Sequence, residues 1–280
     1  KISRAGIIIT IQYFFSEVIA MFKNLGLQLY SIRDYMKDPE MADFAFERVV
    51  KMGYTEAQTA GNAFDAELFG KLLTKHGIKI VGTHYDYGEI INNPEKTMEI
   101  HRMWGTTNVG IGGMPGEARG SLANLNEFID KFNKVSEIYA KNGFKLTYHN
   151  HNFEFVRIDA FKTLMDVMYE KFNPDTISFV LDTCWVAAGG ADVCAWIEKL
   201  AGRIDILHLK DITVVNENGR ITPRMTEIGN GNLEWNRILK TAEETGVKHY
   251  VVEQDGFFLD GNNPFASLKA SADYLKPFIK

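Results

Sequence analysis

The chain has 280 residues, of which 45% are hydrophobic and 24% are charged, and its formal net charge is −5. This length and hydrophobic share are enough for a substantial core, in one large α/β domain or two small ones. A mildly acidic chain without a dense Lys/Arg run has no general attraction for nucleic acid or anionic lipid, so neither is expected as a partner. No apolar run is long enough to span a bilayer.

The first twenty residues differ in character from the rest of the chain. Lys1 and Arg4 precede an apolar run, a pattern that resembles a short secretory signal. Met21 is followed directly by a segment that resembles the approach to a first strand. We interpret residues 1–20 as an upstream or expression-derived extension and residues 21–280 as the folded domain. On this interpretation the protein is cytoplasmic; it is exported if residues 1–20 are a genuine signal segment.

From Leu25 onward, short apolar runs alternate with longer segments of helical period. This alternation is typical of parallel βαβ units. Eight such units in about 250 residues predict a closed (β/α)8 TIM barrel in a single domain. An open doubly wound sheet is the alternative, but no GxGxxG motif follows the first strand. The predicted strands are Leu25–Tyr30, Gly53–Thr59, Lys79–Tyr85, Thr107–Gly112, Lys145–His149, Ile177–Asp182, Ile204–Lys210 and Lys248–Glu253.

Polar residues stand at the ends of four successive predicted strands. In a (β/α)8 barrel these ends meet at one mouth, where the active site lies. Buried polar groups there need partners, and a shared metal ion is one. We therefore predict one divalent metal site made by His149, Asp182, His208 and Glu253. The mixed nitrogen and oxygen donors suit Mn, Zn, Co, Fe or Mg. Taken singly, each His could be structural or bind substrate, and the Asp could cap the next helix.

Neither of the two cysteines, Cys184 and Cys194, suggests a metal site or a disulfide framework. Both lie in apolar runs, and we interpret both as small buried hydrophobic residues.

Several segments together resemble the xylose-isomerase-like barrel superfamily of sugar phosphate isomerases/epimerases. The resemblance extends over nearly the whole chain from Leu25, and it is more specific for the superfamily than for one substrate. Its motifs are Leu25-Gly-Leu-Gln-Leu-Tyr-Ser31, Tyr148-His-Asn-His-Asn-Phe-Glu-Phe155, Leu181-Asp-Thr-Cys-Trp185, His208-Leu-Lys-Asp211 and Val252-Glu-Gln-Asp255.

The resemblance implies metal ligands Glu, Asp, His and Glu on strands five to eight. Three of these match as Asp182, His208 and Glu253, whereas the first Glu position is His149. Sugar epimerases of the family use two facing glutamates, and a helper His stands where this chain has Trp185. The Tyr-His-x-His pattern on strand five is more similar to the inosose dehydratase branch. The apurinic endonuclease branch needs a richer His/Asp set for three zinc ions, and this chain has neither that set nor a basic character.

The resemblance implies proton abstraction next to a carbonyl or carbinol carbon of a sugar or cyclitol. Glu253 or Lys210 would be the base, although Lys210 could equally form a salt bridge with Asp211 or Glu253. The opposing acid, or the group that holds hydroxyls, would be His151, Glu154 or His84. The further substrate contacts that we predict are Gln28 at the end of strand one and the aromatic residues Tyr30 and Trp185, which could stack on a sugar ring.

Three functions are compatible with these expectations. The first is a metal-dependent sugar isomerase or epimerase. The second is a lyase, a keto-sugar or inosose dehydratase, which His149 favours. The third is a non-catalytic sugar-binding barrel in which the metal set is vestigial. A small-molecule sugar or cyclitol is the expected partner in each case, and a homo-oligomer is compatible with the sequence.

Overall fold

The computed structural model describes residues 20–61 and 64–280 of the chain. The predicted extension therefore lies outside the described residues, except for Ala20. Met21 and Phe22 already belong to the packed body, since the backbone N–H of each donates to the carbonyl of Phe278, at 2.7 and 3.2 Å. Phe22 also stacks on Tyr250, with ring centroids 4.6 Å apart.

Eight parallel strands form a nearly closed barrel, which confirms the predicted fold class. The barrel strands are β1 (Leu25–Gln28), β2 (Tyr54–Thr59), β3 (Lys79–Thr83), β4 (Asn108–Ile111), β5 (Lys145–His149), β6 (Ile177–Asp182), β7 (Ile204–Leu209) and β10 (His249–Val252). Their hydrogen-bonded order is β3-β2-β1-β10-β7-β6-β5-β4. Both faces of these strands are buried, because helices cover the outside and side chains fill the inside.

The barrel closes at the seam between β3 and β4, which share no regular ladder. The backbone N–H of Tyr85 donates to the Gly110 carbonyl at 2.7 Å, and the Gly110 N–H approaches Thr83 Oγ1 at 3.3 Å. Behind the seam, His101 Nε2 lies 2.8 Å from Thr83 Oγ1, while His101 Nδ1 donates to the carbonyl of Thr97 at 2.7 Å. A buried imidazole thus holds the end of β3 in place.

Helices connect the strands, and several of them begin at polar caps. They are α1 (Pro39–Lys51), α2 (Ala66–His76), α3 (Tyr87–Asn92), α4 (Pro94–Met103), α5 (Leu122–Lys141), α6 (Leu164–Lys171), α7 (Thr183–Ala188), α8 (Val193–Lys199), α9 (Trp235–Glu244), α10 (Leu259–Asn262) and α11 (Pro264–Leu275). The side chains of Asp38, Asp65 and Ser121 accept from backbone N–H groups in the first turns of α1, α2 and α5. None of the helices in the described ranges is long and apolar enough to cross a membrane.

One element was not predicted. After β7 the chain forms an antiparallel hairpin of β8 (Asp211–Glu217) and β9 (Arg220–Thr226). Its turn is Asn218-Gly219, and both residues have positive φ, 53° and 86°. This dipeptide suits a tight hairpin turn because both positions require that conformation. The hairpin rises from the barrel mouth directly after Lys210.

The inside of the barrel is divided into an apolar and a polar layer. Val81, Val180, Ile206 and Val251 form a separate buried cluster at the centre. Because side chains alternate along a strand, the residue two positions further along also points inward. On three of these strands that residue is Asp182, His208 or Glu253. The polar layer therefore lies on the apolar one, at the C-terminal mouth.

Candidate metal centre and active site

The four predicted ligands converge on one place. Donor atoms of His149, Asp182, His208 and Glu253 all lie within 4.8 Å of one another, and all four residues are buried. His149 Nε2 is 3.4 Å from Asp182 Oδ2, and His208 Nδ1 is 3.6 Å from that oxygen and 3.0 Å from Glu253 Oε2. Ligands at ordinary bond lengths from one tetrahedral zinc-type ion lie about 3.3–3.6 Å apart. The spacing fits a single divalent ion.

Asp182 serves two purposes that the sequence presented as alternatives. Its Oδ1 accepts from the backbone N–H of Trp185 at 2.9 Å and so caps α7. Its Oδ2 faces His149 and His208. The cap fixes the carboxylate's rotation, so the second oxygen is already aimed at the centre of the cluster, where an ion could bind.

Hydrogen bonds orient each imidazole so that one ring nitrogen faces the other members of the cluster. His149 Nδ1 lies 3.0 Å from the carbonyl of Gly112, which can only accept, so Nδ1 carries the proton and Nε2 keeps its lone pair. His208 Nε2 lies 2.5 Å from Gln58 Oε1, which leaves Nδ1 free to ligate. That Nδ1 is buried and faces the carboxylates of Glu253 and Asp182, at 3.0 and 3.6 Å. A buried donor atom with this geometry fits a ligand position.

The charges around the centre also favour a cation. Burial lowers the pKa of His208, but Glu253 and Asp182 outweigh this effect and raise it to about 9. Burial likewise raises the pKa of Glu253, yet Lys210 and His208 hold it well below its usual range. The carboxylates therefore stay ionised and draw positive charge inward. A bound divalent ion would provide that charge and displace the proton from His208.

Lys210 lies beside the four predicted ligands and is 1% exposed. Its ammonium is 3.1 Å from Glu253 Oε2, 3.5 Å from Asp182 Oδ2 and 2.7 Å from Asp255 Oδ2. It also lies over the Trp185 ring, 5.0 Å from the centroid. Although burial lowers the pKa of Lys210, these carboxylates raise it well above its usual value, so the side chain is a cation.

A cavity of about 230 Å³ opens at this mouth of the barrel. Of the predicted catalytic and substrate residues, six line it, whereas Gln28 and Glu154 do not. The lining residues are Tyr30, Ala60, His84, Gly112, His149, His151, Trp185, Lys210, Glu253 and Asp255.

His84 and His151 present neutral imidazoles to the cavity. Burial, reinforced by the neighbouring His149, lowers the pKa of His84 well below 6.5 and that of His151 to about 3. His84 Nδ1 lies 3.3 Å from Gln28 Nε2, and its buried Nε2 has no partner among the described residues. Since the Gln28 amide donates to Nδ1, His84 Nε2 carries a proton. His84 can therefore donate a hydrogen bond to a bound hydroxyl or carbonyl.

Two predicted substrate residues lie behind the cavity wall. Glu154 is fully buried and accepts from the Tyr148 hydroxyl at 2.5 Å and from the His151 N–H at 2.8 Å. It orients the backbone of His151. Gln28 contacts Gln58 and His84. Neither Gln28 nor Glu154 lines the cavity, so the direct substrate contacts predicted for them are not seen in this structure.

Two residues of the site were not among the predicted ones. Gln58 holds the His208 ring, and Asp255 pairs with Lys210. Both stand at strand ends, so position alone could have identified them. Their roles depend on contacts across the barrel, separated by 150 and 45 residues along the chain.

Comparisons with known proteins agree with this architecture. The sequence pattern of the family described as xylose isomerase-like TIM barrel matches residues 46–278. A sugar phosphate isomerase/epimerase from Parabacteroides distasonis is 25% identical, with a TM-score of 0.73 over 92% of this chain and 96% of that one. A xylose isomerase-like barrel protein from Mycobacterium smegmatis, solved in complex with magnesium, shares the fold at 13% identity, with a TM-score of 0.67 over 93% and 98% of the two chains.

An inosose dehydratase from Mesomycoplasma hyopneumoniae is 25% identical over 203 residues, which span 62% of this chain and 65% of that protein. The chain thus spans slightly less than two thirds of that relative. The eight-stranded barrel, the buried His/Asp/His/Glu cluster at its mouth and the match over residues 46–278 lead to one conclusion: the chain belongs to the xylose isomerase-like TIM barrel family.

Proposed function

We propose that the chain is a divalent-metal-dependent lyase that removes water from a keto-sugar or keto-cyclitol. His149, Asp182, His208 and Glu253 would hold the ion. When bound, the ion supplies Lewis-acid stabilisation of negative charge on substrate oxygens. The inosose dehydratase among the relatives and the magnesium in the Mycobacterium structure support this proposal.

The observation that carries it is the placement of proton carriers. The carboxylates that line the cavity, Glu253 and Asp255, both follow β10 and both contact Lys210 Nζ. An epimerase must deliver a proton to the opposite face of the carbon from which it takes one. Apart from the β10 carboxylates, Lys210 and the phenol of the exposed Tyr30, the cavity offers imidazoles, and burial keeps His84 and His151 neutral. Neutral imidazoles can orient hydroxyls but have no proton to transfer readily.

The residues present support an elimination in one site. Glu253 takes the proton from the carbon next to the carbonyl, and the C–H electron pair forms the new C=C bond. The hydroxyl on the next carbon leaves as water with a proton from Lys210. Because Glu253 Oε2 and Lys210 Nζ are 3.1 Å apart, the proton gained by Glu253 can pass to Lys210 and reset both groups. His84 Nε2 and the Trp185 ring position the substrate.

Isomerisation or epimerisation of a sugar is the second candidate. The support for it is the similarity to the Parabacteroides sugar phosphate isomerase/epimerase, whose structure aligns with 92% of this chain. Proton removal by Glu253 is common to both reactions. They differ only in the next step, which is either reprotonation of the carbon or loss of the neighbouring hydroxyl.

The test is product analysis on a panel of inososes and keto-sugars, with the metal-loaded full chain. We expect a product lighter by one water, formed only when a divalent ion is present. Glu253→Gln should abolish turnover and weaken metal binding together. Lys210→Met should lower turnover by about 10²–10⁴-fold, the usual effect of losing acid–base assistance, and retain the metal. Products of unchanged mass would contradict the lyase and support the isomerase. A Lys210→Met enzyme with normal turnover would exclude Lys210 from the reaction.

A further inference from the structure

A buried cation stands immediately beside the set of ligands that should receive a metal ion. Lys210 Nζ contacts two carboxylates of the metal set, Glu253 at 3.1 Å and Asp182 at 3.5 Å. Such a lysine repels an incoming metal ion and competes for the same oxygen atoms. At 1% exposure, little water screens that repulsion. The site therefore needs a feature that offsets the lysine.

Asp255 lies where it can offset the charge of Lys210. Its Oδ2 makes the shortest of the three contacts with Lys210 Nζ, at 2.7 Å. It is not part of the metal set, and its backbone carbonyl accepts from Arg33 Nη2 at 3.0 Å, which fixes this stretch of chain. Asp255 can therefore draw the ammonium toward itself and leave the oxygens of Asp182 and Glu253 to the ion.

The formal charges give the same result. Asp182, Glu253 and Asp255 contribute three negative charges and Lys210 one positive charge, while ligating imidazoles are neutral. The sum is −2, which a divalent ion cancels. Without Asp255 the filled site would carry a net positive charge, and without Lys210 a net negative one. Uncompensated charge in a buried site is costly.

We propose that Asp255 is a positioning residue that sets the metal affinity of the site by neutralising Lys210, so that the four ligands can bind a divalent ion beside a buried lysine. This inference rests on the metal centre of the proposed function but not on the reaction catalysed there. It assigns Asp255 a function separate from those of the ligands.

The experiment is a double-mutant cycle read by calorimetry. Mn²⁺ is titrated into the full chain after chelator treatment, for the wild type, Asp255→Asn, Lys210→Met and the double variant. We expect Asp255→Asn to bind Mn²⁺ about 10–100-fold more weakly, the range typical for loss of an outer-shell residue of a metal site. Lys210→Met should bind at least as tightly as the wild type, and the double variant should regain most of the loss.

The control is Asp34→Asn, which breaks an exposed Asp–Lys pair with Lys37 at 2.6 Å and should leave Mn²⁺ affinity unchanged. The proposal would be overturned if Asp255→Asn and the double variant lost Mn²⁺ affinity equally. It would also be overturned if Lys210→Met bound Mn²⁺ more weakly than the wild type. This second result can be obtained even if the Asp255→Asn variant does not fold. Wild-type protein that binds no Mn²⁺ would overturn this inference and the metal centre together. If product analysis showed no dehydration, only the proposed lyase activity would be refuted. The metal affinities measured in the double-mutant cycle would still test the role of Asp255.

Discussion

Gln58 offers a direct test of how the protein would prepare the proposed metal site. Its Oε1 accepts from His208 Nε2 at 2.5 Å and from Gln28 Nε2 at 3.0 Å, and the side chain is fully buried. Gln58→Leu keeps a similar volume but removes the acceptor. His208 Nε2–H would then be buried without a partner, and the ring would lose the contact that leaves Nδ1 free for a metal ion.

The loss of these contacts should change two quantities separately, the free energy of unfolding and the affinity for a metal ion. An unsatisfied buried donor costs about 1–3 kcal/mol of the free energy of unfolding, which lowers Tm by roughly 2–10 °C in a domain of this size. Loss of the group that orients a ligating His weakens metal binding about 10–100-fold. The first effect is measured by thermal unfolding of metal-free protein and the second by calorimetric titration with Mn²⁺.

Ser267→Ala separates the two effects. Ser267 is buried and donates to Glu227 at 2.6 Å, in a hydrogen bond that does not include the four ligands. Its removal should lower Tm by a comparable amount and leave Mn²⁺ affinity unchanged. A Gln58→Leu variant that has a lower Tm but binds Mn²⁺ as the wild type does would refute a role for Gln58 in setting the His208 tautomer for a metal ion.

Two further predictions concern the β3–β4 seam. Burial lowers the pKa of His101 from 6.5 to about 4, so the unfolded chain binds this proton first as the pH falls. The free energy of unfolding should therefore decrease as the pH falls from 6.5 to about 4. Measured by urea unfolding, the wild type should lose about 3 kcal/mol more over that window than His101→Gln does. Equal losses in the two proteins would contradict this prediction. At Gly110, an added Cβ would meet the Thr83 carbonyl and lie 2.5 Å from Thr147 Oγ1, whereas at Gly116 nothing lies within 4 Å. Gly110→Ala should cost about 1–3 kcal/mol by the same assay, and Gly116→Ala should cost little; equal stability of the two variants would show that the seam is looser than described.

The barrel could be predicted because its signals are local. Each strand is a short apolar run, and each predicted ligand stands at the end of one, so the fold alone brings distant residues together. Asp182 and His208 show this directly, since they are partners in the register between β6 and β7. The period of two along each strand also determines that both point into the barrel.

The hairpin of β8 and β9 was missed for a different reason. Its Asn218-Gly219 turn is visible in the sequence, but an interpretation based on one helix after each strand leaves no place for an inserted hairpin. Six of the eight barrel strands were also predicted one or two residues too long at one end or at both, and only β5 and β6 match their predicted bounds. Lys210 and Glu253, for example, lie just beyond β7 and β10. Apolar patterning does not record where a ladder ends, and beyond the end of β10 the Glu253 N–H still donates to the Leu209 carbonyl at 3.1 Å.

The roles of Glu154 and Asp255 show where sequence patterns stop being informative. Both are carboxylates a few residues beyond a strand, and nothing in their spacing distinguishes them. The Tyr148 hydroxyl and the His151 N–H draw Glu154 behind the wall, whereas Lys210 draws Asp255 to the cavity. Which carboxylate reaches the site is thus decided by the position of hydrogen-bond donors around it. Those donors come from other parts of the barrel, so the choice exists only in the folded chain. A lysine can lie within the proposed metal site for the same reason, because its charge is offset by Asp255, whose contact with Lys210 the motif around it does not reveal.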